Sequence, residues 1–312
     1  MDDKSLEILE FPRMREILAG FTAFSASHEL AINIQALSDY KQISLLLKQS
    51  AEARHLLSLQ SEFSIGGVSD IRGSVRMASR GKVLEPESLI RVQQTLAAMR
   101  QLRSSLENLS QEVPLLWDIA GDIVELSHLE KDIADCITPD GQLLDYASPR
   151  LATVRQQFRE TRGQLLKSLE TIMRSPKGLR IVQEPIITER EGRHVIPIKI
   201  EFRREIKGIV HSVSDTGATA FVEPWATIEL GNTLRELMME EQREIERILR
   251  KLSAEVGMYE AEISHSIALV AELDLALAKA RYAEKARATE PIIATFSGDG
   301  RMTTGEHADA IS

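Results

Sequence analysis

The chain has 312 residues, 43% hydrophobic and 27% charged, which is enough to build a core and far from a disordered profile. A net charge of -9, a pI near 5.4 and 4% aromatics argue against a globally basic nucleic-acid binder and against an aromatic platform for single strands. Cys136 is the only cysteine, so no internal disulfide or cysteine metal site forms, and the absence of a signal peptide or an apolar run of about 20 residues predicts a soluble, cytoplasmic protein.

Residues 1–145 read as a helical core domain. Leu6, Ile8 and Leu9 lead into a short helix carrying Met14, Ile17 and Leu18, which Gly20 can end. Ser25 or Ser27 caps a helix over His28–Leu37, and Ile43, Leu46, Leu47, Ala51 and Leu57 mark the next amphipathic one. Ile65-Gly66-Gly67 breaks it. Asp70 caps Ile71–Ala78, and Glu85-Pro86 starts a helix through Leu102, with the proline where its missing N–H costs nothing. Helix Leu115–Val124 carries Trp117, which reads as core rather than as a ligand platform.

Thr138-Pro139-Asp140-Gly141 signals a turn. Ser148-Pro149 then opens a long helix in which Leu151, Phe158, Leu165 and Ile172 form a coiled-coil-like seam of about 38 Å. Pro176-Lys177-Gly178 ends it. A second seam, from Leu230 to Leu277, predicts one helix of about 85 Å reaching Ala286, with Gly257 as the place for a bend. The seams imply an antiparallel hairpin, Ser148–Arg174 against Leu230–Val256, so residues 146–176 and 225–288 form a long-helix lever. Residues 289–312 lose periodicity and read as a tail, either a linker or the start of a further domain.

Between the lever helices, residues 177–224 read as strands and turns. Val195 to Phe202, Ile209–Val213 and Ala218–Val222 are runs of strand-forming residues, with turns at Glu191-Gly192, Lys207-Gly208 and Thr216-Gly217. The fold class is mainly α with a small antiparallel β insert. From Lys177 to Glu223 the insert carries eight basic and seven acidic residues, close to neutral in an acidic chain. Arg203-Arg204-x-x-Lys207 is a local cationic knob able to meet phosphates, although such charges also solubilise turns and blunt strand edges. The candidate nucleic-acid contacts are Arg190, Arg193, Arg203, Arg204 and Lys207.

No catalytic constellation is present. A phosphate-binding loop needs Gly-Lys-Ser/Thr after a glycine-rich turn, whereas Gly66-Gly67 lacks the lysine and Gly298-Asp299-Gly300 runs into Arg301-Met302. The histidines are scattered; His194 and His211 could become neighbours across the sheet, but nothing completes a metal site. Glu201, Asp215 and Glu223 could gather on the sheet, but solvated strand positions account for them better.

Several stretches resemble the N-terminal part of the MutS-II proteins, the second bacterial branch of the MutS mismatch-repair superfamily. They are GGVSDIRG at Gly66–Gly73, LEPESL at Leu84–Leu89, DGQLLDYASPRL at Asp140–Leu151, QEPIITEREGRHVIPIKIEFR at Gln183–Arg203 and GIVHSVSDTGATAFVEPWATIELGNTLREL at Gly208–Leu237. The resemblance covers residues 5 to 288. It implies that the helical region is a core, the long helices a lever, and residues 177–224 a clamp, two of which close around nucleic acid in a homodimer. It also implies an ATPase domain with ATP and Mg, and a small nuclease domain, after residue 312, with no cofactor in this chain. The partners it implies are branched DNA, whose recombination is suppressed, or collided ribosomes and their rRNA, with no membrane. The competing expectation is a protein-interaction module that docks on a ribosome without touching nucleic acid.

Overall fold

The computed structural model describes residues 3–296 and 302–304. Their contacts divide them into two units: the described residues of Met1–Ala134, Pro139–Gly141 and Lys251–Ser312, and those of Asp135–Thr138 and Gln142–Arg250. Residues 297–301 and 305–312, part of the 289–312 tail read as a linker or the start of a further domain, lie outside the described residues.

In the first unit, local signals set the short helices. These are α1 (Asp3–Ile8), α2 (Phe11–Ala19), α3 (Ser25–Ile32), α4 (Tyr40–Leu59), α5 (Arg72–Ser79), α6 (Pro86–Glu107), α7 (Pro114–Ala120) and α8 (Ser127–Ala134). Prolines open α6 and α7 at their first turns. Helix α3 stops well before Leu37, because the Asp39 carboxylate accepts the Gln42 N–H at 2.7 Å and needs extended backbone to cap α4. Neither serine caps α3. Phe24 holds that position, and Ser27 turns its hydroxyl inward to Asp274. Helix α7 ends before Val124, whose N–H donates to Ser266 Oγ at 3.0 Å. Trp117 is half-buried, its ring against Gly121.

Helix α8 was not expected. Ser127-His128-Leu129-Glu130 has the spacing of a capping box, but Glu130 is instead spent on Arg100, 3.0 Å away.

The long second helix is two helices, α11 (Trp225–Met258) and α12 (Glu260–Ala286), which break at Tyr259. Gly257 serves a different purpose from bending. A Cβ there would stand 2.8 Å from the backbone of Ala78 and Ser79, so the glycine lets the end of α5 pack directly on α11. Helix α12 carries buried residues around much of its circumference, among them Ile263, Ile267, Val270, Leu273 and Leu277. Helices α2, α3, α4, α5 and α7 pack on it, which makes it the axis of the unit. No helix among the described residues is long and apolar enough to cross a membrane.

The second unit begins with α9 (Pro149–Arg174), where the Ser148 hydroxyl accepts the Leu151 N–H at 3.0 Å and Pro149 sits in the first turn. Within this unit α9 runs antiparallel to the α11 residues up to Arg250. Ser148 bonds Glu244 at 2.6 Å, Arg155 bonds Glu241 at 2.8 Å, and Leu165 lies beside Gly231. Bonds from Arg247 and Ser148 lower the pKa of the largely covered Glu244 carboxylate to about 2. Pro176 opens a further short helix, α10 (Pro176–Ile181), which Ser175 caps. Gly178 is obligatory there, since a Cβ would lie 2.1 Å from the Ile172 carbonyl oxygen.

The insert is a four-stranded antiparallel sheet: β1 (Thr188–Arg190), β2 (Arg193–Lys199), β3 (Gly208–Val213) and β4 (Thr219–Pro224), in the order β1-β2-β4-β3. Glu191 and Gly192, both at positive φ, make the β1–β2 turn. Strand β2 ends at Lys199 rather than Phe202. Its last ladder partner is Thr219, the first residue of β4; one more bond follows, from the Ile200 N–H to the Ala218 carbonyl at 3.0 Å, and the chain then winds into a 3-10 helix over Ile200–Glu205. Ile196, Ile198, Ala220 and Val222 point one face of the sheet at Leu165, Leu169 and Met173 of α9 and Leu234 of α11, so the sheet caps the end of the hairpin. Separately, β5 (Ala294–Phe296) pairs antiparallel with β6 (Met302–Thr304).

Candidate nucleic-acid interface

The cationic knob stands on the 3-10 helix and the turn after it. Arg203, Arg204 and Lys207 are exposed, and neither arginine has an ion pair among the described residues. Three more cations surround Glu205 beside them. Arg180 pairs with the Glu205 carboxylate and lies 5.3 Å from the centre of the Phe202 ring, Lys177 donates to the Glu205 carbonyl, and Lys199 donates to the Arg180 carbonyl at 3.2 Å. Lys177, Arg180 and Lys199 thus gather with exposed Glu201 and the partly neutralised Glu205 where β2 gives way to the 3-10 helix that carries Arg203 and Arg204, while Lys207 follows at the start of β3, beside Trp225. Such a patch can hold successive phosphates as point charges, with guanidinium forks adding bidentate bonds. Lys177, Arg180 and Lys199 entered the sequence reading only through the charge count; their convergence depends on α10 folding beside the end of β2.

Arg190 and Arg193 lie at the other end of β2 from Lys199, about 20 Å away along a strand of this length, and the register sets Lys207, at the start of β3, level with Arg193. The five candidates therefore do not share one end of the sheet. Arg190 stacks on the Phe221 ring at 4.4 Å and remains exposed. Arg193 is turned inward, donating to Glu223 Oε1 at 3.3 Å and to Asn232 Oδ1 at 2.8 Å.

Glu223, 3% exposed, is the anchor of a buried polar cluster rather than one of three gathered carboxylates. Its other oxygen lies 2.8 Å from His211 Nε2. Glu201 sits on the 3-10 helix and Asp215 in the β3–β4 turn. His194 and His211 do not meet, because β4 stands between their strands. Among the described residues no group of three or more His, Cys, Asp or Glu side chains could hold a metal ion.

No family model matches the chain. Curated relatives do. It is 40% identical over 293 residues to Endonuclease MutS2 of Pelotomaculum thermopropionicum, covering 94% of this chain and 37% of that protein. It is 39% identical over 301 residues to Endonuclease MutS2 of Thermomicrobium roseum, covering 96% and 38%, and 38% identical over 296 residues to that of Geobacillus thermodenitrificans, covering 94% and 38%. The chain thus spans less than two fifths of the length of these relatives. Through these matches the chain is related to the MutS2 family across nearly the whole of its own length.

Proposed function

We propose that this chain is the nucleic-acid-clamping portion of a MutS2-like protein, with the sheet at Thr188–Pro224 as its contact element. The observation that carries this reading is the exposed, unpaired Arg203 and Arg204 beside Lys207 and the Glu205 cluster, in a chain whose net charge is -9. Non-specific phosphate contact in such a chain has to come from a local patch. In this reading the helices of core and lever position the sheet, two copies close around the strand, and an ATPase domain of the whole protein, with ATP and Mg, drives the closure. Branched DNA whose recombination is to be suppressed, or the rRNA of a collided ribosome, would be held by charge and enclosure rather than by base reading.

Arg203→Glu combined with Arg204→Glu is expected to weaken binding of a branched DNA roughly tenfold or more at low salt. The slope of log affinity against log salt should fall by about 2, one for each lost phosphate contact. Fluorescence anisotropy across a salt series measures both quantities. Unchanged affinity and slope would remove the knob from the interface.

A second reading has its own support. Ile209 and Val213 on the edge strand β3 are each 46% exposed, and Trp225, bonded to Lys207 at the start of that strand, is 61% exposed. Apolar groups on a free edge fit a docked protein surface, such as one on a ribosome, better than a phosphate backbone. Ribosome capture that survives high salt and nuclease treatment, and that Arg203→Glu/Arg204→Glu leaves intact, would select this reading.

A further inference from the structure

Where the β1–β2 turn packs between α9 and α11 there is a cavity of about 130 Å3. Its wall is built at helical spacing from two sides. Phe158 and Arg162 come from α9, and Gly231, Leu234, Arg235 and Met238 from α11. The hairpin closes it with Glu189, Gly192, Arg193 and His194. Three guanidinium groups therefore reach a space with one lining carboxylate, Glu189, while Glu223 lies behind it and takes up Arg193.

Two of the three cations are held in place. Arg193 is fixed by Glu223 and Asn232, and Arg235 donates to the Glu191 carbonyl at 3.1 Å, an acceptor that leaves its charge uncancelled. Arg162 has neither an ion pair nor a hydrogen bond among the described residues. Gly231 keeps the space open, since a side chain there would begin 3.0 Å from the Arg193 guanidinium and 2.8 Å from Glu223. Phe158, Leu234 and Met238 complete the lining with apolar surface, and exposed Met238, Arg162 and Arg235 leave the space open to solvent.

We infer that this cavity is a seat for one phosphate group, held by Arg162 and Arg235 with Arg193 as the fixed third donor. Planar forks on converging walls match the oxygens of a tetrahedral anion. The space is below the roughly 300–1,000 Å3 of whole-ligand pockets, so it takes a single group and leaves the rest of any larger molecule outside. The group is either free phosphate or the terminal phosphate of a strand. None of the knob residues Arg203, Arg204 and Lys207 lines the seat, so it stands or falls independently of the knob.

The test is calorimetric titration of the full chain with inorganic phosphate at constant ionic strength. Saturable one-site binding is expected. Arg162→Gln/Arg235→Gln should weaken it by roughly tenfold or more, as expected for lost charge-assisted bonds, and Arg203→Glu/Arg204→Glu should leave it unchanged. Arg162→Gln alone removes no internal bond, so its loss of affinity cannot be a folding effect. Two oligonucleotides of one sequence, 5′-phosphorylated and 5′-hydroxyl, identify the source. Tighter binding of the phosphorylated one, lost in Arg162→Gln/Arg235→Gln, supports the seat as one for a strand end. Equal binding of both, with inorganic phosphate still saturable, supports it as a seat for a free anion. Non-saturable uptake, or phosphate affinity undiminished in Arg162→Gln/Arg235→Gln, overturns the inference.

Discussion

Asp274→Ala is expected to lower the unfolding free energy by about 3 kcal/mol, with a fall in melting temperature on the order of 6–10 °C. Asp274 is fully buried on α12, the axis of the helical unit. Its Oδ2 accepts the Ala23 N–H at 2.6 Å and the Ser27 hydroxyl at 2.5 Å, fastening the start of α3 from 251 residues away in the chain. A carboxylate at a helix N-terminus also meets the positive end of the helix dipole. Truncation would leave the Ala23 N–H without an acceptor and the Ser27 hydroxyl with only the Phe24 carbonyl, and an orphaned donor costs more than its bond contributes. Asp274→Asn keeps one carbonyl oxygen for both donors and turns its amide toward the site where Arg281 lies 3.8 Å from Oδ1, so a loss of about 1 kcal/mol is expected. Urea denaturation followed by circular dichroism gives both values. An alanine variant within 0.5 kcal/mol of the parent protein, on the order of a neutral surface change, would show that α3 is held by apolar packing alone.

Glu223→Ala should cost about as much, roughly 3 kcal/mol, and should act on the sheet. The carboxylate holds Arg193, whose side chain is 16% exposed, and His211, 14% exposed, and it abuts Gly231 of α11. Its removal leaves a nearly covered guanidinium with Asn232 as its remaining partner, and breaking such a pair from one side is far more harmful than never having built it. Native-state hydrogen exchange should register the loss as reduced protection of the β2, β3 and β4 amides, with Arg193→Ala behaving alike and Arg203→Ala having no effect. Protection unchanged by Glu223→Ala would mean that the apolar face of Ile196, Ile198, Ala220 and Val222 alone keeps the sheet on the helices. The contrast also separates roles: Arg193 braces the sheet, and Arg203 is free to bind.

How much of this was legible in the residues depended on whether the decisive partner was local. The start of α9 was, because Ser148 and Pro149 carry cap and first turn in adjacent positions. So was the β1–β2 turn, since Gly192 takes up the positive φ that the turn needs, although Glu191 before it adopts the same region without a glycine's freedom. The α11–α12 break was not. Gly257 suggested a bend, yet its missing side chain answers to Ala78, far away in sequence, and the break falls two residues later at Tyr259. The end of β2 was equally hidden, because Ile200 and Phe202 continue a strand pattern and only the length of β4 stops the ladder at Lys199. For the candidate site, the exposed Arg203-Arg204-x-x-Lys207 could be read in sequence. The inward turn of Arg193 could not, since Glu223 and Asn232 lie 30 and 39 residues away.

The central claim, that the knob end of the sheet meets nucleic acid, is tested most directly by mapping contacts. Branched DNA carrying photoreactive bases would be irradiated with the full chain, and the cross-linked peptides sequenced. The account predicts cross-links concentrated between Lys199 and Gly208 and around Lys177 and Arg180, and lost at high salt. Cross-links confined to the helical unit, or none above those of a protein of equal charge, would contradict it.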